Sequence, residues 1–211
     1  MTKITPDVQD LLLVIDVQND FCPGGSLAVP GGDEIVGPLN GLMQKFKTVV
    51  LTQDWHPAGH SSFASSHDKL EPYSVVSMPY GAQTLWPDHC IQGSAGADFH
   101  PNLDTSQATL IVRKGYRRAI DSYSAYFEND HMTPTGLAGY CQEMGISRVF
   151  CAGLALDFCV KFSAEDAVAC GFETFLIKDL CRAIDLDGSR QAAIDSMAAK
   201  SVQPIESDDL H

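Results

Sequence analysis

The sequence predicts a three-layer α/β/α domain with a central, mainly parallel β-sheet. Short apolar runs rich in β-branched residues recur along the 211-residue chain. Such runs are typical of strands buried on both faces of a parallel sheet. Segments with helical spacing of apolar residues separate most of these runs, and this β–α alternation favours a sheet covered by helices on both faces.

The individual elements follow from the local pattern. In chain order, the predicted strands are "LLLVIDV" (11–17), "TVVLTQD" (48–54), "TLIVRKG" (109–115), "RVFCAGL" (148–154) and "ETFLIKD" (173–179). The predicted helices are 33–46, 133–145, 157–171 and 188–200. Thr133 and Pro134 fit the start of the second helix, and Gly171 fits the end of the third. The last residues, "ESDDLH", are interpreted as a frayed and solvated end.

One long segment, 54–108, interrupts the alternation. It contains many turn-forming residues, several aromatic residues and most of the histidines. A connection of this length inside a compact domain is usually functional. We therefore interpret residues 1–211 as a single domain with an excursion at about 54–108 that binds a metal or a substrate.

Reactive side chains stand at the carboxyl ends of successive predicted strands. Asp16 ends the first run, Asp54 the second and Lys114 the third, and the fourth run leads into the turn that carries Cys159. Ligands of open parallel sheets bind beyond these strand ends. A single Asp there is ordinarily a turn former or a helix cap. Four such groups at one sheet edge predict a catalytic site.

Cys159 is the candidate nucleophile because it stands where a helix is predicted to begin. The helix dipole favours a thiolate at that position, Lys114 offers a cation and Asp16 offers a base. The alternative is a buried, inert thiol. We assign that alternative to the cysteines within or at the ends of predicted elements, namely Cys141, Cys151, Cys170 and Cys181.

Asp54 and His56, in "DWHPAGH", are the candidate metal-binding pair. Side chains two positions apart in an extended segment point the same way. A carboxylate and an imidazole suit zinc, iron or manganese alike. His89, in "WPDHCIQG", is the preferred third ligand and His60 is its rival. The Asp-x-His pattern alone is a weak signal, but three ligands with open positions would be typical of a catalytic metal.

Charge and cysteine content argue against several classes of protein. The net charge of −13 disfavours a nucleic-acid partner, because phosphate contacts need a basic surface. The N-terminal residues have no apolar signal segment, and the run 11–17 is too short to cross a bilayer. The seven cysteines show no framework spacing, which fits a reducing compartment. We expect a cytoplasmic protein with no membrane partner.

Five stretches of the chain, in their order and spacing, resemble the nicotinamidases, a family within the isochorismatase-like cysteine hydrolases. These stretches are "DVQNDFCPGGSLAV" (16–29), "TQDWHPAGHSSF" (52–63), "LWPDHCIQG" (85–93), "RKGYRRAIDSYSAYF" (113–127) and "GLALDFCV" (153–160). The resemblance covers nearly the whole chain. It implies the isochorismatase-like, Rossmann-like version of the α/β/α fold.

The resemblance also implies a role for each matching side chain. The catalytic residues would be Asp16, Lys114 and Cys159. The ligands of one divalent metal ion, with zinc preferred over iron or manganese, would be Asp54, His56 and His89. The residue that matches His60 is a ligand in only some members of the family, so the resemblance leaves its role open.

For the substrate, the resemblance implies an aromatic pocket and an oxyanion hole. The pocket for a pyridine ring would be formed by Phe21, Trp86 and Tyr123. A cis peptide would join Leu154 and Ala155. The backbone amides of the oxyanion hole would be those of Ala155 and Cys159.

The activity implied by the resemblance is hydrolysis of nicotinamide to nicotinate and ammonia through a thioester, as part of NAD salvage. Pyrazinamide would be a second small-molecule substrate, and a homo-oligomer is compatible with the family. Three alternatives stay open. A ureido or carbamoyl amidase would keep the Asp, Lys and Cys, but it would not need a metal ion to hold a pyridine. An isochorismatase would need neither the Asp-x-His pair nor a cysteine nucleophile. A non-catalytic binding module would show no turnover.

Overall fold

A computed structural model describes residues 3–211. Its strands are β1 (Asp10–Ile15), β2 (Thr48–Asp54), β3 (Val75–Met78), β4 (Gly81–Thr84), β5 (Leu110–Lys114), β6 (Arg148–Gly153), β7 (Glu173–Cys181) and β8 (Gln203–Ile205). Its α-helices are α1 (Val36–Met43), α2 (Leu137–Glu143), α3 (Lys161–Ala169) and α4 (Ser189–Ala199). Across residues 3–211, no helix combines the length and the apolar character that a bilayer crossing requires.

Six of these strands form one parallel sheet in the order β5-β2-β1-β6-β7-β8. Every residue of β1 and β2 is buried, because successive side chains enter the cores on opposite faces of the sheet. Leu12 packs with α1 on one face, and Leu11 packs with α2, α3 and α4 on the other. The predicted three-layer α/β/α fold is confirmed.

The starts of two predicted helices are wrong. Helix α2 begins only at Leu137, because Gly136 takes a left-handed conformation (φ = 104°). Thr133 lies in the preceding turn, where its hydroxyl donates to Asp130. Ahead of α3, residues Leu156–Val160 form a π-helical turn. Cys159 therefore lies inside an irregular turn and not in the first turn of a regular helix.

The excursion 54–108 contains an antiparallel pair, β3 and β4, that the sequence did not predict. Strand β3 has no fully buried residue, so it lacks the continuous apolar run of the central strands. The short edge strand β8 was also missed, because it has three residues and includes Pro204.

The C-terminal residues are docked on the domain, so the expectation of a frayed end is wrong. The side chain of Leu210 is buried in the core under α1. Lys45 donates from Nζ to the Leu210 carbonyl at 2.8 Å, and the Ser207 amide donates to Asp179 at 2.8 Å. One apolar side chain in an acidic segment is enough to dock it, because its burial stabilises the docked state.

Candidate active site

The sheet order places the four predicted strand-end residues in one buried cluster. Strands β5, β2, β1 and β6 are neighbours, so their carboxyl ends meet at one edge. The Lys114 ammonium nitrogen lies 2.8 Å from Asp16 Oδ2 and 2.5 Å from Asp54 Oδ1. It also lies 3.5 Å from the sulfur of Cys159. Lys114, Asp16, Asp54 and Cys159 are thus within reach of one another and closed to solvent.

Local hydrogen bonds hold this cluster in place. Asp16 follows β1 with a positive φ of 51°, and Thr52 donates from Oγ1 to Asp16 Oδ1 at 2.6 Å. Lys114 also donates to the Ser122 carbonyl at 2.9 Å. Apart from the ion contact with Lys114, Asp16 Oδ2 has no hydrogen-bond partner within the described chain. This oxygen is therefore available to take a proton.

Burial and the central ammonium set the protonation of the cluster. Burial raises the pKa of Asp16, against the opposing effect of Lys114. Burial would raise the pKa of Asp54 too, but Lys114 and His56 hold it well below its usual range. Burial also raises the pKa of Cys159 well above its usual value, although Lys114 opposes this. The raised pKa favours the thiol form of Cys159, which then needs a base such as Asp16 to take its proton.

Two histidines and Asp54, which is shared with this cluster, form a group that can hold a metal ion. The Asp54 Oδ2 atom lies 3.5 Å from His56 Nε2 and 3.8 Å from His89 Nε2. The His56 Nδ1–H donates to the Gly115 carbonyl and the His89 Nδ1–H donates to the Pro87 carbonyl, both at 2.8 Å. In the neutral imidazoles each Nε2 is then left with its lone pair, and among residues 3–211 the buried His56 Nε2 has no hydrogen-bond partner. Two imidazoles and one carboxylate with this geometry fit a divalent cation.

Gly115 allows His56 to take this position. A Cβ atom on Gly115 would lie 2.4 Å from His56 Cε1, which is closer than any real contact. Gly115 also has a positive φ of 64°, which disfavours side chains. Both properties require a glycine directly after Lys114.

His60, the rival ligand, lies outside this group. Its Nδ1 pairs with Ser62 Oγ at 2.8 Å, and its Nε2 faces two backbone carbonyls at 3.0 and 3.1 Å. Both ring nitrogens are therefore engaged. His60 does approach His56 and Asp121 closely enough to form a second group of three, but His56 is shared with the first. The geometry favours His89 over His60 as the third ligand.

A narrow cavity of about 20 Å³ lies beside Cys159. The predicted aromatic residues Phe21, Trp86 and Tyr123 line it, together with Ala155. Sequence reasoning missed four other lining residues, Leu27, Asp121, Phe158 and Ile184. Phe158 had a usable signal, because it precedes Cys159 in "GLALDFCV". Ile184 had none, since it follows a different strand.

A buried glutamine on β4 holds the polar side of this cavity. The Gln83 amide nitrogen donates to Asp121 Oδ2 and to the Tyr123 hydroxyl, both at 2.9 Å. Trp86 donates from Nε1 to the same hydroxyl at 3.1 Å. The unpredicted β3–β4 pair thus supplies the residue that orients two of the predicted aromatic side chains.

The turn that carries Cys159 begins with a cis peptide between Leu154 and Ala155, as the resemblance implies. The amides of Phe158 and Val160 both donate to the Ala155 carbonyl at 3.1 Å. The N–H of Ala155 itself has no acceptor within residues 3–211. It remains available to a bound carbonyl oxygen.

The three-layer α/β/α fold, with the buried Asp–Lys–Cys cluster at its strand ends, is that of an isochorismatase-like hydrolase. The isochorismatase domain profile matches residues 10–209, and the chain belongs to this family. The chain is 52% identical to a nicotinamidase of Acinetobacter baylyi, over 93% of this chain and 92% of that one. The resemblance to nicotinamidases is thereby confirmed.

Two solved structures extend the comparison. A nicotinamidase and pyrazinamidase of Acinetobacter baumanii superposes with a TM-score of 0.95 at 50% identity, covering 96% of this chain and 98% of that one. A pyrazinamidase of Pyrococcus horikoshii, solved in complex with zinc, gives a TM-score of 0.77 at 31% identity. That match covers 94% of this chain and 99% of the other.

Proposed function

We propose that this protein is a nicotinamidase, which hydrolyses nicotinamide to nicotinate and ammonia and also accepts pyrazinamide. The observation that carries the proposal is the cavity itself. The Cys159 sulfur, with Lys114 at 3.5 Å, and the metal-fitting residues Asp54 and His89 line the same small, aromatic space. A flat ring with an amide that enters this space would therefore meet both groups. The reaction would return a pyridine carboxylate to NAD salvage.

Aromatic side chains would hold the substrate ring. Phe21, Trp86 and Tyr123 line the cavity, and Phe158 packs edge-on against Trp86 with centroids 4.8 Å apart. These mutually packed rings form rigid walls that cover the faces of a pyridine and exclude water. The carboxamide would then lie against Cys159.

The residues that would hold a metal ion are Asp54, His56 and His89, and we propose zinc, as in the similar pyrazinamidase. When bound, such an ion supplies a Lewis-acid position for the ring nitrogen of the substrate. The protein contributes the orientation of the ligands. His56 and His89 each donate from Nδ1 to a backbone carbonyl, which fixes both rings.

The first chemical step uses Cys159 and Asp16. Asp16 accepts the thiol proton, since one of its carboxylate oxygens lies within 4.8 Å of the sulfur. The sulfur then attacks the amide carbon and forms a C–S bond. The Ala155 and Cys159 amides would donate to the resulting oxyanion, where loss of one donor typically costs about 2.7–4 kcal/mol. Lys114 balances the negative charge of the cluster throughout.

The second step returns the enzyme to its starting state. Asp16 gives its proton to the leaving nitrogen, the C–N bond breaks and ammonia departs, which leaves a thioester on Cys159. Asp16 next takes a proton from a water molecule, whose oxygen attacks the thioester carbon. The C–S bond then breaks, nicotinate leaves and the sulfur regains its proton. Covalent catalysis divides one difficult step into two easier ones.

The test is ammonia release from nicotinamide by the wild-type protein and by Cys159→Ala, with metal analysis of both samples. Release by the wild type alone, with equal metal content, supports the covalent mechanism. Equal release by Cys159→Ala would exclude Cys159 as the nucleophile. Failure of a metal-loaded wild type to release ammonia would reject the substrate and point to ureido or carbamoyl amides.

A further inference from the structure

Asp157 is a buried carboxylate that contacts none of the reacting groups. It lies two residues before Cys159 in the π-helical turn and is 4% exposed. Its oxygens accept hydrogen bonds from the Ile184 amide at 3.1 Å and the Asp185 amide at 2.8 Å. They also accept one from the Ser189 hydroxyl at 2.5 Å. Ile184 and Asp185 belong to the segment between β7 and α4, and Ser189 is the first residue of α4.

Ile184 is the only member of that segment that lines the cavity beside Cys159, as judged from residues 3–211. It therefore forms part of the wall around the proposed substrate. The same segment, Ile184 included, borders a larger groove of about 750 Å³ that Arg182, Ala183 and Asp185 also line. Ile184 is only partly buried against the core, so hydrogen bonds to its backbone help to hold the wall in place.

Two hydrogen-bonded contacts connect this segment to the turn that carries Cys159. One is a backbone bond, from the Leu156 amide to the Arg182 carbonyl at 2.8 Å. The other is the Asp157 carboxylate, which is the acceptor for both the Ile184 and Asp185 amides. Hydrogen bonds to an ionised acceptor are shorter and stronger than neutral ones. The carboxylate thus fixes the distance between the wall and the sulfur.

We infer that Asp157 is a positioning residue, which sets the width of the substrate cavity by holding Ile184 against the Cys159 turn. Ile184 in turn limits the size of the ring that the cavity admits. The kinetic part of this inference rests on the proposed function, whereas the geometry of the wall does not.

The kinetic test compares Asp157→Asn with the wild type. An amide nitrogen cannot accept a hydrogen bond, so one of the two backbone donors loses its acceptor. We expect the KM for nicotinamide to rise about tenfold, because a charged acceptor is lost. We expect kcat to stay within about twofold. Relative kcat/KM should shift toward ring-methylated nicotinamides, and Ile184→Ala should share that shift.

Asp104→Asn is the matched control. Asp104 also accepts a backbone amide and a hydroxyl, both from Ser106, but it lies before β5 at the opposite edge of the sheet. It should leave KM, kcat and ring preference unchanged. A lower kcat in Asp157→Asn, with KM and ring preference unchanged, would overturn the inference, since the carboxylate would then act on the nucleophile turn.

A second measurement tests the wall without any substrate. We compare the rates at which N-ethylmaleimide and the smaller iodoacetamide modify Cys159. The ratio of the first rate to the second should rise in Asp157→Asn and Ile184→Ala. Peptide mass spectrometry assigns the modified cysteine. If the wild type does not hydrolyse nicotinamide, the proposed function fails but this ratio still tests the wall.

If Asp157→Asn does not fold, Ser189→Ala replaces it, because this change removes only one of the three hydrogen bonds. The modification ratio should then rise by a smaller factor in the same direction. An unchanged ratio in both Ser189→Ala and Ile184→Ala would overturn the inference.

Discussion

The carboxylate of Asp54 and the ammonium of Lys114 form a solvent-excluded ion pair, with 2.5 Å between Oδ1 and Nζ. The second oxygen of Asp54 faces His56, while Lys114 reaches Asp16 and Cys159. This pair therefore joins the proposed metal site to the proposed nucleophile. A substitution in the proposed metal site should alter the proposed nucleophile, and a substitution at the nucleophile should alter the metal site.

The first prediction concerns stability. Lys114→Met leaves the buried Asp16 and Asp54 carboxylates without their cation, so the free energy of unfolding should fall by about 3–5 kcal/mol. Urea unfolding of the metal-loaded protein measures this. Lys178→Met is the control, because its pair with Glu206 is solvent-exposed and should contribute little. Equal effects of the two substitutions would contradict a central role for the buried ammonium.

The second prediction concerns pH. Burial raises the pKa of Cys159 well above its usual value, so the thiolate is the minor form at neutral pH. Below that pKa, the thiolate fraction rises about tenfold per pH unit. Alkylation of Cys159 by iodoacetamide should therefore accelerate continuously from neutral to alkaline pH. A plateau already at neutral pH would show a stabilised resting thiolate instead.

The third prediction separates the histidines by metal content. His89→Gln should lose most of the bound metal, because it removes an Nε2 that faces Asp54. His60→Gln should keep the metal, since the His60 nitrogens are engaged by Ser62 and two carbonyls. Elemental analysis after dialysis against a weak chelator measures both. Equal loss from the two variants would place His60 among the ligands.

The fourth prediction concerns the glutamine behind the aromatic wall. Gln83→Leu removes the donor to Asp121 Oδ2 and one of the two donors to the Tyr123 hydroxyl, which should cost about 1–3 kcal/mol of stability. The KM for nicotinamide should rise, because the Tyr123 ring loses its anchor. Gln203→Leu, at an exposed position on β8, is the control for both measurements. An unchanged KM in Gln83→Leu would show that Trp86 alone orients Tyr123.

The sequence predicted the central strands well because their burial leaves a direct signature. Strand β2 spans the predicted residues 48–54 without any shift, and all of its side chains are buried. The order of strands in the sheet then brought Asp16, Asp54, Lys114 and Cys159 together, as the strand-end rule requires. Continuous apolar runs thus gave both the fold and the location of the candidate site.

Features that depend on one local geometry could not be predicted. The π-helical turn around Cys159 has the same composition as an ordinary helix start, so it left no trace in the sequence. The wall residue Ile184 comes from a segment distant in sequence, which is bonded to the Cys159 turn through Asp157 and Leu156. The C-terminus is docked by the buried Leu210 and by hydrogen bonds such as that of Ser207 to Asp179, and the acidic composition of the segment concealed these contacts.

Gly115 adds a position to those at which a mutation should inactivate this enzyme, although it carries no reacting group. Every single-nucleotide missense change in a glycine codon introduces a Cβ atom. At residue 115 that atom would lie 2.4 Å from the imidazole of His56. Loss-of-function alleles should therefore accumulate at a residue with no chemistry of its own. Purifying selection on the metal site should be as strict at Gly115 as at His56.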